Sequence, residues 1–161
     1  MNIFATNKCP VKSAKFLDDK RVVKMVLESA QMLSTAINHY KGVGPYKSTH
    51  MNHPCNVWVR SSRSNYMWLV GHFKALCDEY KKRYNKTHKC EQYLNLFIDN
   101  RIVIPDNPAT EFVNCARNSG LGVDFSAIKD TCEAYKQYLF NRWSMDKRVS
   151  MCKLGRLYVN K

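Results

Sequence analysis

The sequence predicts an all-α fold: a compact single domain over residues 1–161, built around two long helices with shorter packing helices and irregular loops. Three observations carry that expectation. Glycine (6) and proline (5) are scarce and clustered, which leaves little material for the turns of a strand architecture. Residues 18–38 and 62–86 repeat apolar side chains at three- and four-residue steps, the spacing of one helix face. Hydrophobic residues make up 45% of a 161-residue chain, enough to bury a substantial core and too many for a disordered one.

Each element follows from local chemistry. MNIFATN is a short lead-in segment, and CPVKSAKFL predicts a first short helix. Asp18 or Asp19 then caps a long helix, DDKRVVKMVLESAQMLSTAIN. KGVGPYKSTHMN is a loop by its glycine and proline content, and HPCNVWVRSS starts another short helix with Pro54 in its first turn. In SRSNYMWLVGHFKALCDEYKKRYNK, residues Tyr66, Leu69, Val70, Phe73, Leu76, Cys77 and Tyr80 form a core-facing stripe. The basic end KKRYNKTHK suits a helix C-terminus and equally a phosphate. CEQYLNLFIDN is a shorter helix, residues 101–125 are mostly irregular, and KDTCEAYKQYLFNRW is a last helix. The basic tail DKRVSMCKLGRLYVNK is expected to dock on the body or on a partner.

Charge narrows the partners. The net charge is +13, and residues 1–77 carry eleven Lys and Arg against only Asp18, Asp19 and Glu28. A balance so basic points to a polyanion, nucleic acid before an anionic membrane surface. No apolar run approaches the ~20 residues of a membrane-spanning helix, and MNIFATNKCP lacks the pattern of a signal peptide, so a cytoplasmic protein is expected. The seven cysteines are scattered without a CxxC pair, the pattern of reduced, mostly buried thiols.

Three constellations could carry chemistry. On the first long helix, Lys20, Lys24, Glu28, Gln31, Thr35 and Asn38 interrupt the apolar surface in a stripe roughly 80° wide. A carboxylate with an ammonium at i−4 and an amide at i+3 is the kind of setting in which a general acid/base is tuned. A solvent-facing, salt-bridged stripe is the alternative. The second is YKSTHMNHPCNVWVR, where His50, His53 and Cys55 are close in sequence. Their spacing matches no standard zinc set, so no metal is expected; Thr49 or Asn52 would cap the helix that follows. With Lys47, Asn52 and Arg60, the loop instead offers donors to a phosphate or a base. The third interleaves Trp58, Arg60, Arg63, Tyr66 and Trp68. Aromatic faces among guanidinium groups suit nucleic acid. Trp68 is assigned to the core, and Trp58 is open to either role.

DDKRVVKMVLES resembles the start of the first long helix in the phage-type pyrimidine-dimer DNA glycosylase family, commonly called endonuclease V. There a catalytic glutamate follows nine residues after an acidic one, as Glu28 follows Asp19. NYMWLVGHFKALCDEYKKRYNK resembles that family's second long helix, and AYKQY is a weaker likeness near the C-terminus. KMVLESAQMLST with THMNHPC is also similar to a broader group of phage proteins. The resemblance implies a compact all-α enzyme that flips a base out of duplex DNA and attacks the sugar C1′ with an N-terminal amine. A glutamate assists, and strand cleavage can follow.

Carried onto this sequence, the resemblance makes Glu28 the catalytic acid/base. Family members often have His where this chain has Arg21, which keeps a phosphate contact but cannot shuttle a proton at neutral pH. The family's amine needs the initiator methionine removed, which a small second residue permits; Asn2 argues that Met1 stays. The attacking amine is then that of Met1, or of Lys20 or Lys24 after desolvation; otherwise no covalent step occurs and Glu28 activates water or another acceptor. The contacts to substrate are expected from Asn2, Lys20, Arg21 and Gln31, and from Lys47, His50, Asn52, His53, Arg60 and Arg63. The expected partner is duplex DNA, held by its phosphates with one flipped base. No cofactor, metal, membrane or second copy of the chain is expected, and the compartment is the host cytoplasm for a phage-encoded protein. A base-modifying transferase on the same scaffold, or a non-catalytic nucleic-acid-binding protein, are the alternatives.

Overall fold

The computed structural model of the protein describes residues 1–146 and is mostly helical. The basic stretch from Lys147 onward lies outside the described residues, and with it most of the tail expected to dock. The chain order is α1 (Pro10–Phe16), α2 (Asp19–His39), α3 (Pro54–Ser61), α4 (Arg63–Tyr84), α5 (Leu94–Asp99) and α6 (Thr131–Met145). Short 3-10 turns at Lys89–Tyr93 and Asn100–Val103 flank α5, so the start of that helix is more tightly wound than its sequence implies. Residues 105–130 are irregular apart from β1 (Arg117–Asn118) and β2 (Val123–Asp124), a two-residue antiparallel pair joined through a 3-10 turn at Ser119–Leu121.

Helix starts follow ordinary capping chemistry. Pro10 and Pro54 open α1 and α3, where a missing N–H leaves nothing unsatisfied. Asp18 caps α2 by accepting the Arg21 N–H, and Asp130 caps α6. Ser62 ends α3 in an extended conformation and accepts the Asn65 N–H, so the chain turns directly into α4. The cap of α3 corrects the sequence expectation: neither Thr49 nor Asn52 serves, and His53 Nδ1 accepts the Cys55 N–H instead.

The core lies between α2 and α4, with α3 packed against both and α1 against α4. Val22, Met25, Val26, Leu33 and Ile37 of α2 meet Tyr66, Leu69, Phe73 and Leu76 of α4, all of them buried. Phe97 of α5 stands edge-on to Phe73, and the Tyr66 hydroxyl donates to the Phe97 carbonyl at 2.7 Å. Trp58 is buried, whereas Trp68 is only partly so, with its indole donating to the Lys8 carbonyl at 2.7 Å. The two indoles and Phe112 pack against one another at 4.9–6.1 Å, which engages these rings with each other.

The polar stripe of α2 divides in two. Its C-terminal half is a docking strip. Asn38 accepts the Gly44 N–H at 2.7 Å and donates to the Tyr46 carbonyl at 2.9 Å, while Thr35 Oγ1 accepts the Thr49 N–H at 3.2 Å. Gly44 is required there, because a Cβ would come within 2.7 Å of the α2 backbone at Ser34. Only Lys20, Lys24, Glu28 and Gln31 remain as the wall of an accessible face.

The basic end of α4 is also divided. Arg83 is 2% exposed and bonds Glu79, Asp19 and the carbonyls of Leu17 and Lys15, while Lys81 and Lys82 are exposed. Arg83 is therefore a joint between α1, α2 and α4. Replacing it by Met leaves the buried Glu79 carboxylate unpaired and is expected to cost about 3–5 kcal/mol in urea unfolding. Lys81→Ala and Lys82→Ala should each stay within about 0.5 kcal/mol.

His72 is fully buried, its Nδ1 donating to the Pro10 carbonyl at 3.1 Å and its ring stacking on Trp68. Burial lowers it to about 4 from an ordinary value of 6.5. The folded ring stays neutral where the unfolded one takes up a proton. Its contribution is therefore complete above about pH 6.5 and falls away as the pH drops towards 4, by up to about 3 kcal/mol. Urea midpoints measured across that range should decline, and His72→Asn should remove this part of the slope.

Candidate active site

The site is organised by the N-terminal segment. Ile3, Phe4, Ala5 and Thr6 are buried, although they form no regular element. Phe4 has φ +54°, a left-handed conformation unusual for a bulky residue, and its ring packs on Tyr135 and Tyr138 of α6. The Asn2 side chain holds the bend, its Oδ1 accepting the N–H groups of Ile3 at 2.8 Å and Phe4 at 3.3 Å. Ser13 of α1 closes it from the other side by donating to the Phe4 carbonyl at 3.1 Å.

This bend presents the backbone nitrogen of Asn2 to Glu28. It donates to Glu28 Oε2 at 3.1 Å, while Lys24 Nζ lies 3.3 Å from Oε1. The carboxylate is largely enclosed, with 13% of its side chain exposed, whereas Lys24 is 68% exposed. Arg21, one turn back, pairs with Asp18 at 2.8 Å and lays its guanidinium 5.8 Å from the centre of the Phe4 ring. Asp18 Oδ2 also accepts the Trp143 indole N–H at 2.7 Å, which ties α6 to the start of α2.

The 49–56 segment forms the opposite side. Asn56 is buried and donates to the carbonyls of Thr49 at 3.1 Å and His50 at 2.8 Å, holding His50 at φ +48°. The same amide touches Met1 Sδ at 3.2 Å, so the first residue rests against α3. His53 is half-buried. Burial lowers its basicity, the charges of the N-terminal amine, His50 and Arg117 act in the same direction, and Glu28 opposes them. That set of neighbours brings the chain's first amine, His53 and Glu28 into one electrostatic environment.

The third side was not legible in the sequence. Asn2 Nδ2 donates to the Cys115 carbonyl at 3.2 Å, and the Cys115 N–H donates to the Tyr135 hydroxyl at 3.2 Å. The Cys55 and Cys115 sulfurs lie within 4.8 Å of each other, and the Cys55 thiol donates to Asn2 Oδ1 at 4.0 Å. The neighbouring Cys55 thiol pulls the Cys115 thiol down to about 7 against the effect of burial, helped by Arg117, Tyr135 and the N-terminal amine. The same neighbour, together with burial, raises Cys55.

The sequence-predicted residues therefore separate. Glu28, Met1, Lys24, Asn2 and His53 come together, with Arg21 alongside. Lys20, Lys47, His50 and Asn52 are exposed, and His50 Nδ1 shares a hydrogen bond of 2.7 Å with Thr49 Oγ1. Gln31 is half-buried on the same helix. Arg60 is spent on the Met51 carbonyl. Arg63 donates to the carbonyls of Arg101 at 3.1 Å and Ile104 at 3.2 Å and pairs with Asp106 at 3.4 Å, so it braces the turn after α5. Cys115, Asn56, Tyr135 and Arg117 were missed. Nothing in their spacing marks them, since Cys115 reaches Asn2 across 113 residues.

Among the described residues, no helix is long and apolar enough to cross a membrane. No curated protein and no solved structure matches the chain. One family model, described as pyrimidine dimer DNA glycosylase, matches residues 1–92, which hold α1 to α4 and the Asn2, Glu28, His53 and Cys55 positions. The match spans more than half of the 161 residues, and the chain belongs to the pyrimidine dimer DNA glycosylase family.

Proposed function

We infer that the protein acts on a damaged or modified base turned out of duplex DNA, with Glu28 as its acid/base and an amine beside it as nucleophile, and that it carries an associated lyase activity. Family membership makes it a DNA glycosylase with DNA as substrate. The observation that carries the finer reading is the 3.1 Å contact between the backbone nitrogen of residue 2 and Glu28 Oε2. An amide nitrogen cannot attack. If the chain is trimmed to Asn2, that nitrogen becomes a primary amine already at hydrogen-bond distance from a carboxylate, the geometry general base catalysis requires. With Met1 retained, the α-amine lies one residue further out, beside His53. Lys24 is the other amine in reach, but it is largely solvated and held only by a partly exposed ion pair.

The proton account is self-consistent. The neutral amine forms a bond to C1′ as the glycosidic bond breaks, and the base leaves with that electron pair and acquires a proton from water. The ammonium so formed gives a proton to the Glu28 carboxylate. Glu28 returns it to the ring oxygen as C1′–O4′ opens and the nitrogen lone pair becomes the C=N bond. In the lyase step the carboxylate takes a C2′ proton and the 3′-phosphate departs; hydrolysis of the imine then restores the amine. Access to C1′ requires the base to leave the stack. Exposed Lys20 and Lys47 suit the phosphates on either side.

Glu28→Gln should lower turnover on lesion-containing duplex by about 10²–10⁴-fold while leaving the salt dependence of DNA retention unchanged. Unchanged turnover would remove Glu28 from the mechanism. Loss of turnover with no nucleic-acid retention at moderate salt would overturn the reading of the surface.

Borohydride reduction during turnover should trap a protein–DNA adduct, and peptide mapping should place it on the N-terminal residue. Lys24→Ala should still trap. An adduct on residues 21–24 would make Lys24 the nucleophile. Turnover without any adduct would indicate attack by water and no lyase step.

A further inference from the structure

We propose that His53, Cys55 and Cys115 form a binding site for a thiophilic divalent cation of the zinc type, adjoining the Asn2–Glu28 contact. One ligand atom from each residue lies within 4.8 Å of the other two. In a tetrahedral zinc site with ordinary bond lengths, neighbouring donors sit roughly 3.4–3.8 Å apart. Small side-chain rotations therefore bring the three donors onto one ion. Two sulfurs and an imidazole select a borderline-soft cation over magnesium or calcium, which take oxygen donors.

The donors come from two distant parts of the chain, and both are held firmly. His53 and Cys55 occupy the cap and first turn of α3, where the Cys55 N–H bonds His53 Nδ1 at 3.1 Å in the metal-free chain; coordination by the imidazole lone pair exchanges that bond for the ion. Cys115 sits in the irregular 105–116 stretch, but its backbone is bonded on both sides, to the Tyr135 hydroxyl and to the Asn2 amide. A donor whose backbone is held in this way, as Cys115 is, loses little freedom on coordination. Cys55 is fully buried, Cys115 and His53 are partly open, and the cluster is thus reachable from one side. Three protein donors leave the fourth position of a tetrahedron for water or another oxygen or nitrogen donor. Loading displaces the two thiol protons to solvent.

Such an ion clamps the Cys115 segment onto α3 and fixes Asn2 from the side opposite Glu28. The inference does not depend on the glycosylase reading, because its measurement is spectroscopic. The test uses the untagged full chain, kept reduced, stripped of metal and titrated with Co²⁺. The expected result is one equivalent bound, with thiolate-to-metal charge-transfer absorption and the visible bands of a tetrahedral centre, both abolished by equimolar Zn²⁺. Cys115→Ser and Cys55→Ser should lose the charge-transfer band, His53→Asn should weaken binding, and Cys9→Ser and Cys132→Ser should leave it intact. Cys55 is buried, so Cys115→Ser and His53→Asn, checked for native circular dichroism, carry the decision. Absence of the band in the wild-type chain, or its persistence in Cys115→Ser, overturns the site.

Discussion

The structure depends on how its first six residues are held. A chain end normally frays, because ordering each backbone residue costs about 1–2 kcal/mol and a terminus has neighbours on one side only. Here Ile3, Ala5 and Thr6 are buried between helices, and the Phe4 ring is set against two tyrosines of α6. The left-handed backbone at Phe4 is tolerated because Asn2 and Ser13 satisfy the polar groups of the bend. Everything that distinguishes the site follows from that anchorage. It brings residue 2 to Glu28, places Met1 against Asn56, and gives the Cys115 segment something to bond.

Positive charge is divided by chemistry rather than by position. Arg21, Arg60, Arg63 and Arg83 each use their planar forks on carboxylates or backbone carbonyls. Lys20, Lys24, Lys47, Lys81 and Lys82 face solvent. A guanidinium is weakly hydrated and satisfies several acceptors at once, so it suits the interior; an ammonium is better left in water. These four guanidinium groups are thereby engaged within the fold, whereas Arg101 and Arg117 are exposed like the lysines.

The helices were legible because their signals are local. Apolar periodicity marked α2 and α4, Pro54 marked a first turn, and Asp18 or Asp19 marked a cap, of which Asp18 serves. The break between α3 and α4 hangs on the extended backbone of Ser62, which no composition signal distinguishes from the neighbouring serines. The stripe on α2 was visible, but its division was not. Whether Thr35 and Asn38 face a cleft or a loop depends on Gly44 folding back onto Ser34, a contact between elements. Trp68 was expected in the core and is instead partly exposed, while Trp58 takes the buried place. Their order depends on Lys8 and Phe112, which approach from outside both helices. Cys115 lies furthest from the reach of sequence reasoning, since an irregular segment carries no periodicity from which a facing residue could be read.

The position of Met1 has a practical bearing on how the molecule is handled. Its sulfur rests on Asn56, one residue from the nitrogen that meets Glu28. A peptide joined ahead of it therefore starts beside Asn56, within one residue of the Glu28 contact. An affinity tag at that end adjoins the candidate site and is not a neutral handle.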